Sequence, residues 1–295
     1  MTAAMEVPVV VTSVAGLRGF VAALRSQRPE ARVGFVPTMG ALHDGHASLI
    51  STAREHAGIV VVSVFVNPTQ FGPGEDFATY PRTLDADIAL CARMGADIVF
   101  TPPVEEMYPV DQTVTVHAGA LGEALEGAHR PGHFDGVATV VTKLFQMVQP
   151  DVAVFGQKDA QQLAVLTAMT QQLAIPVEIV AAETVREPDG LAMSSRNRYL
   201  TPHERQWALA IPRALEAAQL AARRGVSGML SAAEHELSAT PQVNTSYLVA
   251  VDPTSFDSLP ADYSGPARVL IAARVGRTRL IDNVLVEVLA PGVAR

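Results

Sequence analysis

Cysteine is nearly missing from this 295-residue chain. Cys91 is the only one, so no disulfide can form within the chain, and a reducing compartment is expected. It sits among Ile88, Leu90 and Met94 in an apolar helical pattern, which reads as a buried, inert thiol rather than a nucleophile. Charged residues are also scarce, at 18%, and acids outnumber bases by 30 to 22 for a net charge of −8. That balance excludes a general electrostatic attraction to nucleic acid or to an anionic membrane. An anionic ligand would have to be met by local positive groups against the overall field. Long apolar runs are lacking too. The longest, Gly58 to Val66, is too short to cross a bilayer as a helix. The N-terminal stretch has neither the basic region nor the long apolar core of a secretory signal. Internal repeats and low-complexity tracts are absent. What remains is 48% hydrophobic, enough for a sizeable core in two domains, and a soluble cytoplasmic enzyme is expected.

Up to about residue 184, short apolar strands alternate with helical periods. Strands are expected at Arg32–Val36, Ile59–Val66, Asp97–Phe100, Asp151–Phe155 and Pro176–Ala181. Helices are expected at Gly45–His56, Leu84–Met94, Val137–Val148 and Gln161–Leu173. The strands are near-continuous runs of Val, Ile and Phe, as sheets covered on both faces require. The fold class is therefore α/β: a Rossmann-like doubly wound parallel sheet over residues 1–184, whose ligands bind beyond the carboxyl ends of the strands. Past that point the pattern changes. Thr201-Pro-His-Glu204 is a helix start, with Thr as cap, Pro first and Glu third. Helical patterns run on to Arg224 and from Ser227 to Leu237. Strand-like runs follow at Ser246–Val251, Ala267–Arg274 and Thr278–Val288, the last two separated by a hairpin at Val275-Gly-Arg277. Residues 185–295 thus form a smaller C-terminal α+β domain, expected to act as a lid.

Chemistry-bearing residues follow the expected strands directly. In Phe35-Val-Pro-Thr-Met-Gly-Ala-Leu-His-Asp-Gly-His46 an apolar strand breaks at Gly40 and delivers two histidines before a helix begins. Glycine allows close approach, and a new helix offers unpaired N–H groups and its positive dipole end to an anion. His43 and His46 lie one turn apart and can face the same ligand. They could instead be surface residues or two metal ligands, but no Cys/His cluster elsewhere supplies further ligands. After the second strand, Asn67 and Gln70 offer neutral amides suited to hydroxyl and carboxylate recognition, or they form an Asn-Pro turn. After Phe155 comes Gly156-Gln-Lys-Asp-Ala-Gln-Gln162, a glycine and a lysine at the mouth of a helix, suited to phosphate unless Lys158 is an ordinary surface lysine. Asp159 is placed to cap that helix or to accept ribose hydroxyls. The segment from Val185 to Arg198 carries Ser194, Ser195 and Arg196, hydroxyls and a guanidinium matched to pyrophosphate, in a loop able to close or simply a linker. His129-Arg-Pro-Gly-His133 forms another cationic turn, which either meets a substrate carboxylate or caps the following helix.

The segments Val36 to His46, Val64 to Gly72 and Gly190 to Leu200, with Thr278-Arg-Leu-Ile-Asp-Asn283 near the other end, together resemble the pantothenate synthetases, the pantoate–β-alanine ligases. The resemblance implies two steps. Pantoate attacks the α-phosphate of ATP to give pantoyl adenylate and pyrophosphate, and β-alanine then displaces AMP. By that likeness Met39, Gly40, Ala41, Leu42, His43, Asp44, Gly45 and His46 border ATP, with His43 and His46 stabilising phosphate charge and His46 the proton donor. Lys158, Ser194, Ser195 and Arg196 hold phosphates. Gly156, Gln157, Lys158, Asp159, Val185 and Met193 line the nucleotide pocket. Gln70 and Gln162 bind pantoate, with Gln70 also near β-alanine, and Asn67, Arg130 and His133 complete the substrate side. Mg2+ is expected to be held mainly through the phosphates, without a dedicated set of protein ligands. A homodimer is implied, with no nucleic-acid or membrane partner. The family usually has Gly-Glu-Lys-Asp followed by an aromatic; Gln157 and Ala160 stand there instead, which removes a charge beside Lys158 and a wall near the pantoate site. The alternatives are a related adenylyl-transferring enzyme with another substrate and a non-catalytic nucleotide-binding derivative.

Overall fold

The computed structural model describes residues 7–109 and 112–289. Residues 1–6, where the stretch read for a secretory signal begins, lie outside the described residues. The chain divides into two compact units, one of residues 1–157 and 165–183, the other of residues 158–164 and 184–295.

The first unit is a six-stranded parallel sheet in the order β1-β4-β3-β2-β5-β6, formed by β1 (Val9–Val11), β2 (Val33–Thr38), β3 (Ile59–Val64), β4 (Ile98–Phe100), β5 (Val152–Gly156) and β6 (Glu178–Ala182). The chain winds outward from β2 through β3 to β4, then crosses to β5 on the other side of β2. The direction of winding therefore reverses between β2 and β5, the place where a doubly wound sheet opens a crevice at its carboxyl edge. The main helices are α1 (Val14–Gln27), α2 (Asp44–His56) and α3 (Leu84–Arg93). Single turns α4 (Val104–Met107), α5 (Ala120–Glu123) and α6 (Glu126–His129) precede the long α7 (His133–Val148). Helix α8 (Ala160–Gln172) starts in residues of the second unit and ends in the first.

Side-chain alternation along β2 explains the two helical layers. Val36 packs in one cluster with Ile50 of α2 and Cys91 of α3. Its neighbour Phe35 points the other way, edge-on to Phe145 of α7 with ring centroids 6.3 Å apart. Both residues are fully buried, and each such side chain stabilises the fold by roughly 1.5–3 kcal/mol. The strand pattern read from Val33 onward holds, but β1 and α1 escape it. β1 is three residues long, and α1 carries Gly16 and Gly19, which weaken helical propensity. Its local signal is Ser13, whose hydroxyl accepts the Gly16 N–H at 3.1 Å.

The second unit is an antiparallel sheet of β7 (Val243–Val251), β8 (Gly265–Val275) and β9 (Thr278–Val288), with α9 (Pro202–Ala208), α10 (Ala210–Ala221) and α11 (Gly225–Ser238). The helical patterns expected up to Arg224 divide at Leu209. Pro212 has no N–H and its ring would collide with the carbonyl of Ala208, so a new helix has to start there. Thr201 and Glu204 form the expected capping box. The hairpin turn closes on Gly276 and Arg277, with Val275 paired to Thr278 and Gly276 at φ +57°. One sheet face, including Ala267, Val269, Ile271, Ala273 and Val275, packs with Ile211, Leu215 and Met229 of the helices. The α/β class with a smaller C-terminal α+β part is what the structure has.

Candidate active site

The turn after β2 is held by residues far away in sequence. Thr38 Oγ1 donates to the carbonyl of Ser63 on β3 at 2.7 Å and accepts the Gly40 N–H at 3.2 Å. Gly40 and Ala41 then adopt left-handed backbone, at φ +86° and +51°. For Ala41 that conformation is unfavourable by roughly 1–2 kcal/mol. Successive left-handed or turn N–H groups converge into a concavity that binds anions. Here the anion is internal. Asp87 of α3, only 1% exposed, accepts Ala41 N–H at 3.1 Å on Oδ2 and Leu42 N–H at 2.8 Å on Oδ1. Thr83 Oγ1 donates to Oδ1 at 3.1 Å. A Cβ on Gly40 would stand 3.0 Å from both Asp87 Oδ2 and Val64 Cγ1, so this position suits only glycine. The N–H groups of Ala41 and Leu42 are therefore taken up by Asp87.

His43 is the N-cap of α2, and His46 is its third residue. The two side chains form a reciprocal capping box, and His46 Nδ1 accepts the His43 N–H at 3.3 Å. A ring nitrogen that accepts carries no proton, so the imidazole proton of His46 is on Nε2. The rings lie 4.2 Å apart. On the opposite flank of β2, Leu49 of α2 is 3.8 Å from where a Cβ on Gly156 would be. The end of β5 thus lies against the helix that carries the histidines.

Asn67 and Gln70 follow β3 in a single 3-10 turn. Asn67 is 1% exposed and fully engaged. Its Nδ2 donates to Gln70 Oε1 at 3.0 Å and to the Gly136 carbonyl at 3.2 Å. Its Oδ1 accepts from Thr69 and, at 2.8 Å, from the Tyr108 hydroxyl. Asn67 therefore fixes the orientation of the Gln70 amide rather than presenting its own. Gln70 Nε2 donates to the Met39 sulfur at 3.3 Å, a weak acceptor that a carboxylate or hydroxyl oxygen would readily replace.

The turn at 129–133 is less cationic than its composition implies. Arg130 forms a bidentate pair with Glu75, with Nε and NH2 each 2.7 Å from a carboxylate oxygen. Arg130 NH1 also lies 3.0 Å from His133 Nε2, while His133 Nδ1 lies 2.8 Å from the Gln70 carbonyl. The guanidinium can only donate, so Nε2 accepts and the ring proton is on Nδ1, directed at Gln70. Burial, and then the adjacent guanidinium, push the His133 imidazole down to about 4, so it is neutral near pH 7. Burial works against ionisation of Glu75 as well, but the Arg130 hydrogen bonds and charge still hold its carboxyl below the usual range.

In the second unit, Lys158 Nζ lies 3.5 Å from Asp159 Oδ1. Gln161 is buried, and Gln162 is partly exposed on α8. The segment read as a closing loop is stapled within its own unit. Arg186 bridges Ala192, and Met193 N–H donates to the Val185 carbonyl at 2.9 Å. Arg205 holds Glu187 at 2.6 Å and Asp189 at 2.8 Å, and Asn197 Nδ2 donates to Glu187 at 2.6 Å. Ser194 caps the turn that follows, accepting the Arg196 N–H at 3.3 Å. Ser194, Ser195 and Arg196 thereby sit on a hydrogen-bonded corner.

Asp87, Glu75 and Tyr108 were not found by sequence reasoning. Asp87 looks like an ordinary first-turn acid of α3, and nothing local links it to a turn 45 residues earlier. Cys91 is fully buried, and burial followed by the charge of Asp87 pushes its thiol up to about 12, as an inert core residue requires. Among the described residues no three His, Cys, Asp or Glu side chains group to hold a metal ion, and no helix is long and apolar enough to cross a membrane. Chemically, the first unit offers an imidazole N–H donor and an adaptable amide, and the second an ammonium, hydroxyls and a guanidinium. Each of these groups can donate a hydrogen bond to an anionic oxygen.

Comparison with known proteins agrees. A family model described as pantoate-beta-alanine ligase matches residues 9–285. A pantothenate synthetase from Nocardioides sp. is 61% identical over 261 residues, covering 85% of this chain and 78% of its own. A solved pantothenate synthetase from Thermus thermophilus matches with a TM-score of 0.88 at 48% identity, over 94% of this chain and 98% of that one. The pantoate-beta-alanine ligase from Francisella tularensis, solved in complex with beta-gamma ATP and beta-alanine, matches with a TM-score of 0.78 at 32% identity, over 94% and 97%.

Proposed function

The chain belongs to the pantoate–β-alanine ligase family, and from that premise we propose that it joins (R)-pantoate to β-alanine with ATP through a pantoyl adenylate. A pantoate carboxylate oxygen attacks the α-phosphorus, the bond to the bridging oxygen of the β-phosphate breaks, and pyrophosphate leaves. The β-alanine amine then attacks the acyl carbon, the acyl–oxygen bond to AMP breaks, and the nitrogen loses a proton. The adenylate is itself the activated species, so no side chain has to be modified covalently. Catalysis consists of aligning the reactants and stabilising charge on phosphate oxygens.

The observation that carries this reading is the turn after β2, locked by Asp87, which presents His46 with its proton on Nε2. That N–H donates to phosphate oxygen, with His43 beside it. Lys158, Ser194, Ser195 and Arg196 hold the phosphates. Gln70 exchanges the Met39 sulfur for a pantoate oxygen, and Gln162 binds pantoate as well. Asn67, Arg130 and His133 act through Gln70, keeping its amide and carbonyl in place. Mg2+ arriving with ATP would neutralise phosphate charge, held chiefly by the phosphates themselves. The same reading carries a homodimer, checked by sedimentation, and a cytoplasmic location.

The test is to incubate the purified protein with ATP, (R)-pantoate and β-alanine and to follow AMP and pantothenate together. They should appear in equal amounts. Isotope exchange between pyrophosphate and ATP should require pantoate but not β-alanine. Exchange that needs no pantoate would point to another substrate, and no turnover at all to a non-catalytic derivative.

A further inference from the structure

The second unit holds its two phosphate-directed segments from a single point on β9. Asn283 is 5% exposed and shares a sheet face with Leu270, its partner on β8. Arg268 NH1 donates to Asn283 Oδ1 at 2.5 Å, and Asn283 Nδ2 donates to the Lys158 carbonyl at 3.0 Å. Because a guanidinium has no acceptor, Arg268 fixes which end of the amide is oxygen and so compels the NH2 to face Lys158.

The preceding residue, Asp282, is 3% exposed and projects to the other face. It receives Arg186 in a bidentate pair at 2.7 and 3.1 Å, and its Oδ1 also accepts the Asn283 N–H at 2.8 Å. Arg186 NH1 in turn donates to the Gly190 carbonyl at 3.0 Å, within the staple that ends at Met193 and Ser194. Lys158 lies on a 3-10 turn and Ser194 at the start of another, and neither segment has a strand partner of its own. Both are tied instead to adjacent residues of a laddered strand.

We infer that Asp282 and Asn283 are positioning residues that set the spacing between Lys158 and the Ser194–Arg196 corner for the polyphosphate of ATP. This rests on the phosphate roles assigned above. Neither residue touches the reacting atoms, so the effect appears in ATP recognition.

The experiment uses full-length Asn283→Asp, which keeps the Arg268 contact but turns an acceptor toward the Lys158 carbonyl. It also uses Asp282→Asn. In steady-state assays the KM for ATP should rise about tenfold or more in each variant while the KM for pantoate stays put, as expected when a supporting contact misplaces a binding group. Arg186→Lys keeps the charge but loses the fork. It tests the same link if Asp282→Asn fails to fold. Calorimetric titration with inorganic pyrophosphate reads the effect without turnover, so an inactive wild-type protein would sink the functional reading and leave this link testable. Folded variants with unchanged KM for ATP and unchanged pyrophosphate affinity, losing only thermal stability or the active fraction, would overturn the inference.

Discussion

Acidification should destabilise this protein through one histidine. In the folded chain His133 is buried, receives Arg130 on Nε2 and gives its Nδ1 proton to the Gln70 carbonyl, which leaves no place for a second proton. Its pKa falls from 6.5 to about 4 on folding. Between those values the unfolded chain takes up a proton that the folded chain refuses, so stability rises with pH across the window and is lost as pH falls toward 4. At about 1.36 kcal/mol per pH unit, the full window corresponds to roughly 3 kcal/mol, a sizeable part of a typical folding free energy. Other groups titrate too. The lowered carboxyl of Glu75 loses its contribution only below its ordinary 4.5, and His117, raised by its hydrogen bond and charge interaction with Asp135, acts in the opposite sense. The clean measurement is therefore a comparison. Urea unfolding at pH 7 and at pH 4.5, which crosses about two units of that window, should show the wild type losing roughly 2.5 kcal/mol more than His133→Asn, whose amide can still donate to Gln70 but does not titrate. Equal losses in the two proteins would refute the reasoning, as would an imidazole titration by NMR centred near the ordinary value.

Asp87→Asn should place an NH2 against the N–H of Ala41 or Leu42. That leaves a buried donor unpaired at roughly 1–3 kcal/mol, and calorimetry should show a lower melting temperature alongside an adenylation rate reduced at least tenfold (about 1.4 kcal/mol). A normal rate would mean that the turn does not depend on this carboxylate. Gly136→Ala should drive a methyl to 2.4 Å from the Thr69 carbonyl and 2.8 Å from Gln70 Cα, both backbone atoms. We expect a stability loss of about 1–3 kcal/mol and a raised KM for pantoate as Gln70 shifts, and an unaffected KM would detach Gln70 from that role. His46→Ala and Lys158→Ala should each lose about a hundredfold to a thousandfold in turnover while remaining folded by circular dichroism, and near-normal turnover in either would show the charge-stabilising roles to be misplaced.

The local geometry of the candidate site was legible where its signals are local. Pro37, Gly40 and the two histidines announce a strand, a turn and a helix start within twelve residues, and Thr201 with Glu204 announces a capping box within four. The parallel sheet could be read from unbroken apolar strands. β1 and α1 were missed because one is short and the other glycine-bearing. The charge state of the 129–133 turn was misjudged for a different reason: its neutraliser, Glu75, is 55 residues away. The anchors of the other segments are equally remote, Asp87 at 45 residues from Leu42 and Asn283 at 125 from Lys158.

By itself the sequence determined most of the elements, the fold class and which polar residues stand at strand ends, because periodicity, caps and turns act over a few positions. The tertiary structure alone decided which of those groups are available to a ligand. Arg130 is committed to Glu75, His133 is neutral, and the Ala41 and Leu42 amides belong to Asp87. Strand order chooses the neighbours, and burial then fixes the protonation and hydrogen bonding of each group, and neither is a local property of the chain.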